Sequence, residues 1–137
     1  MDWLMVSEEG YPDEFFSIIA AARILGRSSN TVAGSGLPIV ASILASQLNH
    51  GHLTLFDSGS VGPYPDQLPV SVSDGSVDFE FNGNGASILA GALQTGRIDS
   101  CVVGAAQTDA EGKVNSSRIR ANSAWRQLPG LAAHLRW

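Results

Sequence analysis

Asp57-Ser58-Gly59 places a carboxylate, a hydroxyl and a glycine directly after the apolar run Leu53-Thr54-Leu55-Phe56. A carboxylate so placed can act as a nucleophile or a general base. The amides of Ser58 and Gly59 could meet an oxyanion. Open α/β sheets gather such groups beyond the carboxyl ends of their strands. The same residue types also form plain strand-end turns, and the residues alone leave both readings open. A second candidate is Gly34-Ser35-Gly36, just ahead of Leu37-Pro38. Glycines before a helix leave amides at a positive helix terminus, which suits an anion; a tight strand-to-helix turn is the alternative. The loop is not a full dinucleotide fingerprint, because Ile39 stands where a third glycine is required, and it carries no Walker lysine. His50 and His52 lie at the far end of the strand from Asp57, so a Ser-His-Asp set has no support. No His/Cys cluster has metal-ligand spacing, and no metal site is expected.

These candidates need elements to hold them. Tyr11-Pro12 closes a lead-in over residues 1–12, and Asp13 is the expected N-cap of a helix over Glu14–Leu25. Phe15, Ile18, Ala22 and Leu25 share one face of it, and Gly26 is its expected C′ glycine. Thr31–Ala33 reads as a short strand. Pro38 opens a helix over Ile39–Leu48 with Val40, Ile43, Leu44 and Leu48 inward. With the strand at 52–56 this makes a β-loop-α-β unit, and the crossover implies a parallel pair. Residues 60–78 contain Pro63, Pro65 and Pro69, and read as a loop over the strand ends with one short strand at Leu68–Val72. A third helix is expected at Ala86–Leu93 and a buried strand at Ile98–Gly104, with Cys101 a small buried hydrophobe. A strand near Gln107, a turn at Asp109–Gly112 and a strand at Lys113–Asn115 complete the pattern.

With 137 residues, 44% of them apolar, the chain fits one domain with one core. A single cysteine excludes a disulfide framework and fits a reducing compartment. No apolar run is long enough to span a bilayer, and the acidic start MDWLMVSEEG does not resemble a secretory signal, so a cytoplasmic location is expected with no membrane partner. The net charge of −5 argues against a nucleic-acid partner. Charge is nevertheless uneven. All 13 acids lie at or before Glu111, while Lys113, Arg118, Arg120, Arg126 and Arg136 follow it. That basic end could meet phosphates or an acidic partner, or be a solvated tail.

Three segments in order, VAGSGLPIVASILA, LTLFDSGSVG and RIDSCVVGAAQTDAEGKVNSS, resemble the B (β) subunit of family I CoA-transferases, most closely the glutaconate CoA-transferase type. The family carries GxGLP before a helix, E-S-G after the second strand, and a G-A-x-Q-x-D-x-x-G-x-x-N-S hairpin. The last is matched by Gly104, Ala105, Gln107, Asp109, Gly112, Asn115 and Ser116. The resemblance covers roughly residues 14–130. It implies an open three-layer α/β/α fold with a mostly parallel sheet, formed here as a single domain over 1–137 with 118–137 a divergent basic tail. It also implies an A (α) subunit as partner, an acyl-CoA as substrate, and coenzyme A as a substrate with no permanently bound cofactor. Asp57 is the implied catalytic residue, and Gly34, Gly36, Ser58, Gly59 and Gln107 are the implied contacts to coenzyme A.

Two departures shape the expected function. Asp57 stands where the family has the glutamate that attacks the acyl-CoA carbonyl, so the carboxylate is one methylene short. Relatives lacking that glutamate resemble decarboxylases or CoA-ester hydrolases that use the partner's chemistry. Family members also run to about twice this length and continue into a glycine-rich loop, whereas Gln127-Leu128-Pro129-Gly130 is followed here by LAAHLRW. The ending resembles a truncated or frameshifted frame, and the chain resembles the family's N-terminal half. The expectation is a subunit that moves CoA between carboxylic acids. The alternatives are a decarboxylase or hydrolase subunit, a non-catalytic scaffold, or an inactive fragment.

Overall fold

In a computed structural model of the chain, residues 10–69, 71–86, 91–121 and 124–128 are described. Helix α1 spans Asp13–Leu25, strand β1 Asn30–Ala33, helix α2 Leu37–Leu48 and strand β2 Leu53–Phe56. Strands β3 (Ser60–Tyr64), β4 (Asp78–Asn82) and β5 (Ser100–Val102) complete a five-stranded sheet of order β4-β3-β2-β1-β5. Two hairpins follow, β6 (Gln107–Thr108) with β7 (Val114–Asn115), and β8 (Arg118–Ala121) with β9 (Ala124–Gln127).

The expected β-loop-α-β unit is present. β1 and β2 run parallel with Val32 beside Leu55 and Ala33 beside Phe56. β5 then pairs parallel to the free side of β1, with Val32 beside Cys101. The sheet is mixed, because β3 pairs antiparallel with the other side of β2 and β4 antiparallel with β3. The sequence reading missed both of these strands and placed one at 68–72 instead, where the described residues are irregular. Pro63 was the misleading signal. β2 meets β3 at Leu55–Val61, so a proline two residues further along breaks no ladder bond to β2.

Period-two burial divides the side chains of the parallel strands. Ala33 and Phe56 face α2 and pack on Ile39 and Ile43, with Phe79 and Val102 at the margin. Phe56 is fully buried and meets Phe79 edge to face at 5.6 Å. Behind α2, the small residues Ala41 and Ala45 let α1 come close through Ala22 and Leu25. On the opposite face Val32 and Leu55 pack with Leu53, Val61, Leu93 and Ile98. Leu93 and Ile98 therefore supply cover on the second side of the sheet. Residues 87–90 of the expected third helix lie outside the described residues.

Buried hydroxyls are satisfied locally. Thr54, 1% exposed, donates to the Ser42 carbonyl at 3.1 Å and shares a hydrogen bond with Ser46 at 2.9 Å, tying β2 to α2. Thr31 and Ser100 share one at 2.6 Å across β1 and β5. At the opening of the sheet, the Asp99 carboxylate accepts from the amides of Ser29 at 2.8 Å and Asn30 at 3.0 Å. His52 donates from Nδ1 to the Ser28 carbonyl at 2.9 Å, which gives it a positioning task at the amino end of β2.

Four local expectations are corrected. Pro12 occupies the N-cap of α1, with Asp13 already inside the first turn. Gly26 ends α1 with φ −61°, in the ordinary helical region, and its amide still bonds Ala22 at 2.9 Å. Leu48 is 60% exposed because α2 ends there and its last turn clears the sheet. Cys101 is exposed, since β5 is a three-residue strand beside β1 with partly covered neighbours.

Candidate active site

The three parallel strands end at one edge. β1 runs into Gly34-Ser35-Gly36, β2 into Asp57-Ser58-Gly59, and β5 into Val103-Gly104. Topology therefore brings Gly34, Gly36, Asp57, Ser58 and Gly59 to the same side of the sheet. Gln107 stands apart, exposed on the β6–β7 hairpin. Its side-chain oxygen accepts from Asn115 at 2.7 Å. The hairpin itself is anchored near the strand ends, because the Ser116 hydroxyl reaches the Gly104 carbonyl at 3.5 Å.

Asp57 is half-buried in a turn closed by the Gly59 amide donating to the Phe56 carbonyl at 2.9 Å. That amide is thus used inside the turn and is not aimed at an incoming oxyanion. The Ser58 hydroxyl is also engaged, donating to the Val72 carbonyl at 2.6 Å. Ser58 borders an open cleft of about 270 Å³ lined by polar and apolar groups alike, among them Ser60, Val72, Asp74, Val77 and Phe79. In the first loop, the Gly34 amide continues the sheet ladder to Val102 at 3.0 Å. The amides of Ser35 and Gly36 make no hydrogen bond among the described residues. These two, at the mouth of α2, are the donors left for an anion.

Gly36 has φ +87° and ψ −143°, a backbone conformation that suits glycine alone. Its role is therefore conformational before it is one of contact. Gly36→Val is expected to destabilise the fold by about 1–3 kcal/mol through backbone strain, read as a lower midpoint in urea unfolding. Ser35→Val leaves that conformation intact, so it is the cleaner probe of ligand contact at this loop.

Sequence reasoning missed the segment packed over the candidate turn. The Gly83 amide donates to the Gly59 carbonyl at 2.9 Å. A Cβ built on Gly59 would fall 2.3 Å from the Asn84 backbone, and one on Gly85 would fall 2.3 Å from the Asp57 carbonyl oxygen. Residues 83–85 thus form the floor of the Asp57 turn. The signal was the alternation Asn82-Gly83-Asn84-Gly85, which reads as a generic turn until its tertiary partner is known.

Electrostatics link Asp57 to β5. The Cys101 thiol titrates above its ordinary range, first because its surroundings desolvate the thiolate and second because the Asp57 carboxylate repels it. Both causes favour the protonated thiol, so alkylation needs higher pH than for an ordinary cysteine. Asp57→Asn removes the smaller cause. Its iodoacetamide rate–pH profile is expected to move toward lower pH without reaching that of an unhindered thiol. An unmoved profile would show that the two groups do not sense each other. Among the described residues no group of three or more His, Cys, Asp or Glu could hold a metal ion. None of the described helices is long and apolar enough to cross a membrane.

No protein-family model matches the chain. The chain is 36% identical over 104 residues to the B-type subunit of a 3-oxoadipate CoA-transferase from Pseudomonas knackmussii, a match covering 74% of this chain and 40% of that protein. Its fold matches the crystal structure of glutaconate coenzyme A-transferase from Acidaminococcus fermentans with a TM-score of 0.68 at 21% identity, over 86% of this chain and 48% of that one. The chain thus spans less than half the length of either. By its sequence match to a B-type subunit and by the α/β architecture it shares with a solved member, the chain belongs to the CoA-transferase family.

Proposed function

We propose that the chain contributes the nucleophile-bearing half-site of an enzyme that moves CoA between carboxylic acids, working with an A-type subunit on an acyl-CoA. The observation that carries this reading is the position of Asp57. It follows the buried strand β2, on the sheet edge shared by the Ser35 and Gly36 amides, in a chain homologous to a B-type CoA-transferase subunit. In the reaction, the Asp57 carboxylate attacks the acyl-CoA carbonyl and the CoA thiolate leaves, giving an acyl–aspartyl anhydride. The thiolate then attacks the aspartyl carbonyl, which releases the acyl group as a carboxylate and leaves an aspartyl–CoA thioester. A second carboxylate takes the CoA by the same two steps in reverse. Gly34 and Gly36 shape the loop that faces the bound CoA, Ser58 and Gly59 hold the turn, and Gln107 contributes from the hairpin.

The test is to incubate the complex with an A-type subunit and an acyl-CoA, then look by mass spectrometry for a CoA adduct on Asp57 that hydroxylamine removes. Absence of the adduct with turnover intact would discard Asp57 as nucleophile. The one methylene missing at Asp57 favours a second reading, in which the same complex decarboxylates or hydrolyses its CoA ester through the partner's groups. Free CoA or carbon dioxide appearing without any carboxylate acceptor would select it.

A further inference from the structure

The basic end of the chain is built into a defined surface between residues 118 and 127. β8 and β9 pair antiparallel, with Arg118 opposite Gln127 and Arg120 opposite Trp125. Side chains alternate along a strand, and directly opposed residues share a face. Arg118, Arg120, Trp125 and Gln127 therefore stand on one face, while Ile119 and Arg126 stand on the other. The base of the hairpin is fixed by the Leu128 amide donating to the Ser117 carbonyl at 2.9 Å and by the Asn115 side-chain amide donating to the Arg118 carbonyl at 2.9 Å.

Two properties of this face need an explanation. Its charge is uncompensated: among the described residues neither Arg118 nor Arg120 makes an ion pair, and no acidic residue follows Glu111. Its aromatic ring is also open, with Trp125 65% exposed, and the Arg118 guanidinium lies over that ring at 5.0 Å from its centre. Stacking on an indole uses the flat face of a guanidinium and leaves its in-plane N–H donors for an anion. Arg120 adds a second fork from the adjoining position on the same face. A ring for a base and two forks for phosphate are the parts that a nucleotide requires.

We propose that this hairpin face binds a phosphorylated purine nucleoside, with Arg118 and Arg120 on the phosphates and the base against Trp125. The nucleotide end of coenzyme A and a free nucleotide share this chemistry. The proposal does not rest on the acyl-transfer reading, because binding is measured without an acyl group or a partner subunit.

The experiment uses the full chain carrying Trp3→Phe and Trp137→Phe, so that Trp125 alone emits. Titration with adenosine 3′,5′-bisphosphate is expected to change its emission saturably. Arg118→Gln and Arg120→Gln are each expected to weaken that binding about tenfold. Arg126→Gln, on the opposite face, is expected to leave it unchanged. Coenzyme A and the bisphosphate binding more tightly than ATP would assign the site to the CoA nucleotide, and equal binding of ATP would assign it to nucleotides in general; both outcomes support the site. The proposal is overturned by no saturable change, by equal loss in Arg126→Gln, or by saturation with a single-stranded oligonucleotide but with no mononucleotide. Far-ultraviolet circular dichroism of each variant distinguishes a lost contact from a lost fold.

Discussion

Gly59→Ala is expected to destabilise the chain by about 2–6 kcal/mol, because backbone strain and a steric clash act together. Gly59 sits at φ +106°, a conformation that an alanine rarely adopts, and the added Cβ would lie 2.3–2.6 Å from three backbone atoms of Asn84. Neither cost can be relieved by a side-chain rotation. The turn could open, but that breaks the Gly59–Phe56 and Gly83–Gly59 hydrogen bonds. For a chain of this size the loss corresponds to a fall in melting temperature of roughly 10 °C or more. Gly75→Ala is the control: a Cβ there meets nothing within 4 Å and no left-handed backbone is required. It should melt within about 0.5 kcal/mol of the parent. Equal melting of the two variants would refute the close packing of residues 83–85 on the Asp57 turn.

Asp57→Asn, assayed in the complex with an A-type subunit, should lower the transferase rate at least a thousandfold if Asp57 is the nucleophile. The amide keeps the shape but cannot attack a thioester at neutral pH. Asp57→Glu should move the rate the other way. The family's glutamate extends its carboxylate one bond further, and a displacement of about 1 Å in a reacting group can cost on the order of a hundredfold. A rise of one to two orders of magnitude in kcat with KM nearly unchanged is therefore expected for Asp57→Glu. Rates unaffected by either substitution would assign the chemistry to the partner subunit.

Legibility in the sequence followed the range of the interactions. The α2 helix and strands β1 and β2 were readable because Pro38, the apolar spacing of 39–45 and the run 53–56 encode them locally. The hairpin at 107–115 was readable from Asp109 and Gly112, and the structure has the Asp109 carboxylate accepting from the amides of Glu111 and Lys113. Strand β3 was hidden because Gly62 and Pro63 carry turn chemistry, while β4 does carry a strand alternation, Phe79 and Phe81 against Asp78, Glu80 and Asn82, but only over five residues set between turn-rich segments. The position of Asp57 at a strand end was legible. The use of the Gly34 and Gly59 amides within the fold was not, since it depends on Val102 and on the closure of the turn. Exposure of Cys101 was equally out of reach, because an apolar run such as 101–103 gives no sign of what the fold sets beside it.

The pairing of β5 with β1, about 70 residues apart in sequence, also dictates an order of assembly. Residues 13–82 contain α1, β1, α2 and the three strands on the β2 side, and within this block each strand pairs with the next in sequence, so the block is quick to form. On the ribosome this block can collapse while the outer edge of β1 still waits for residues 99–102 to emerge. During that interval the amides of Ser29 and Asn30 lack the Asp99 carboxylate that later accepts them. The open edge of β1 is then a template for any passing strand. Hydrogen exchange in the finished protein should preserve the memory of this sequence, with β5 opening before the β1–β2 pair.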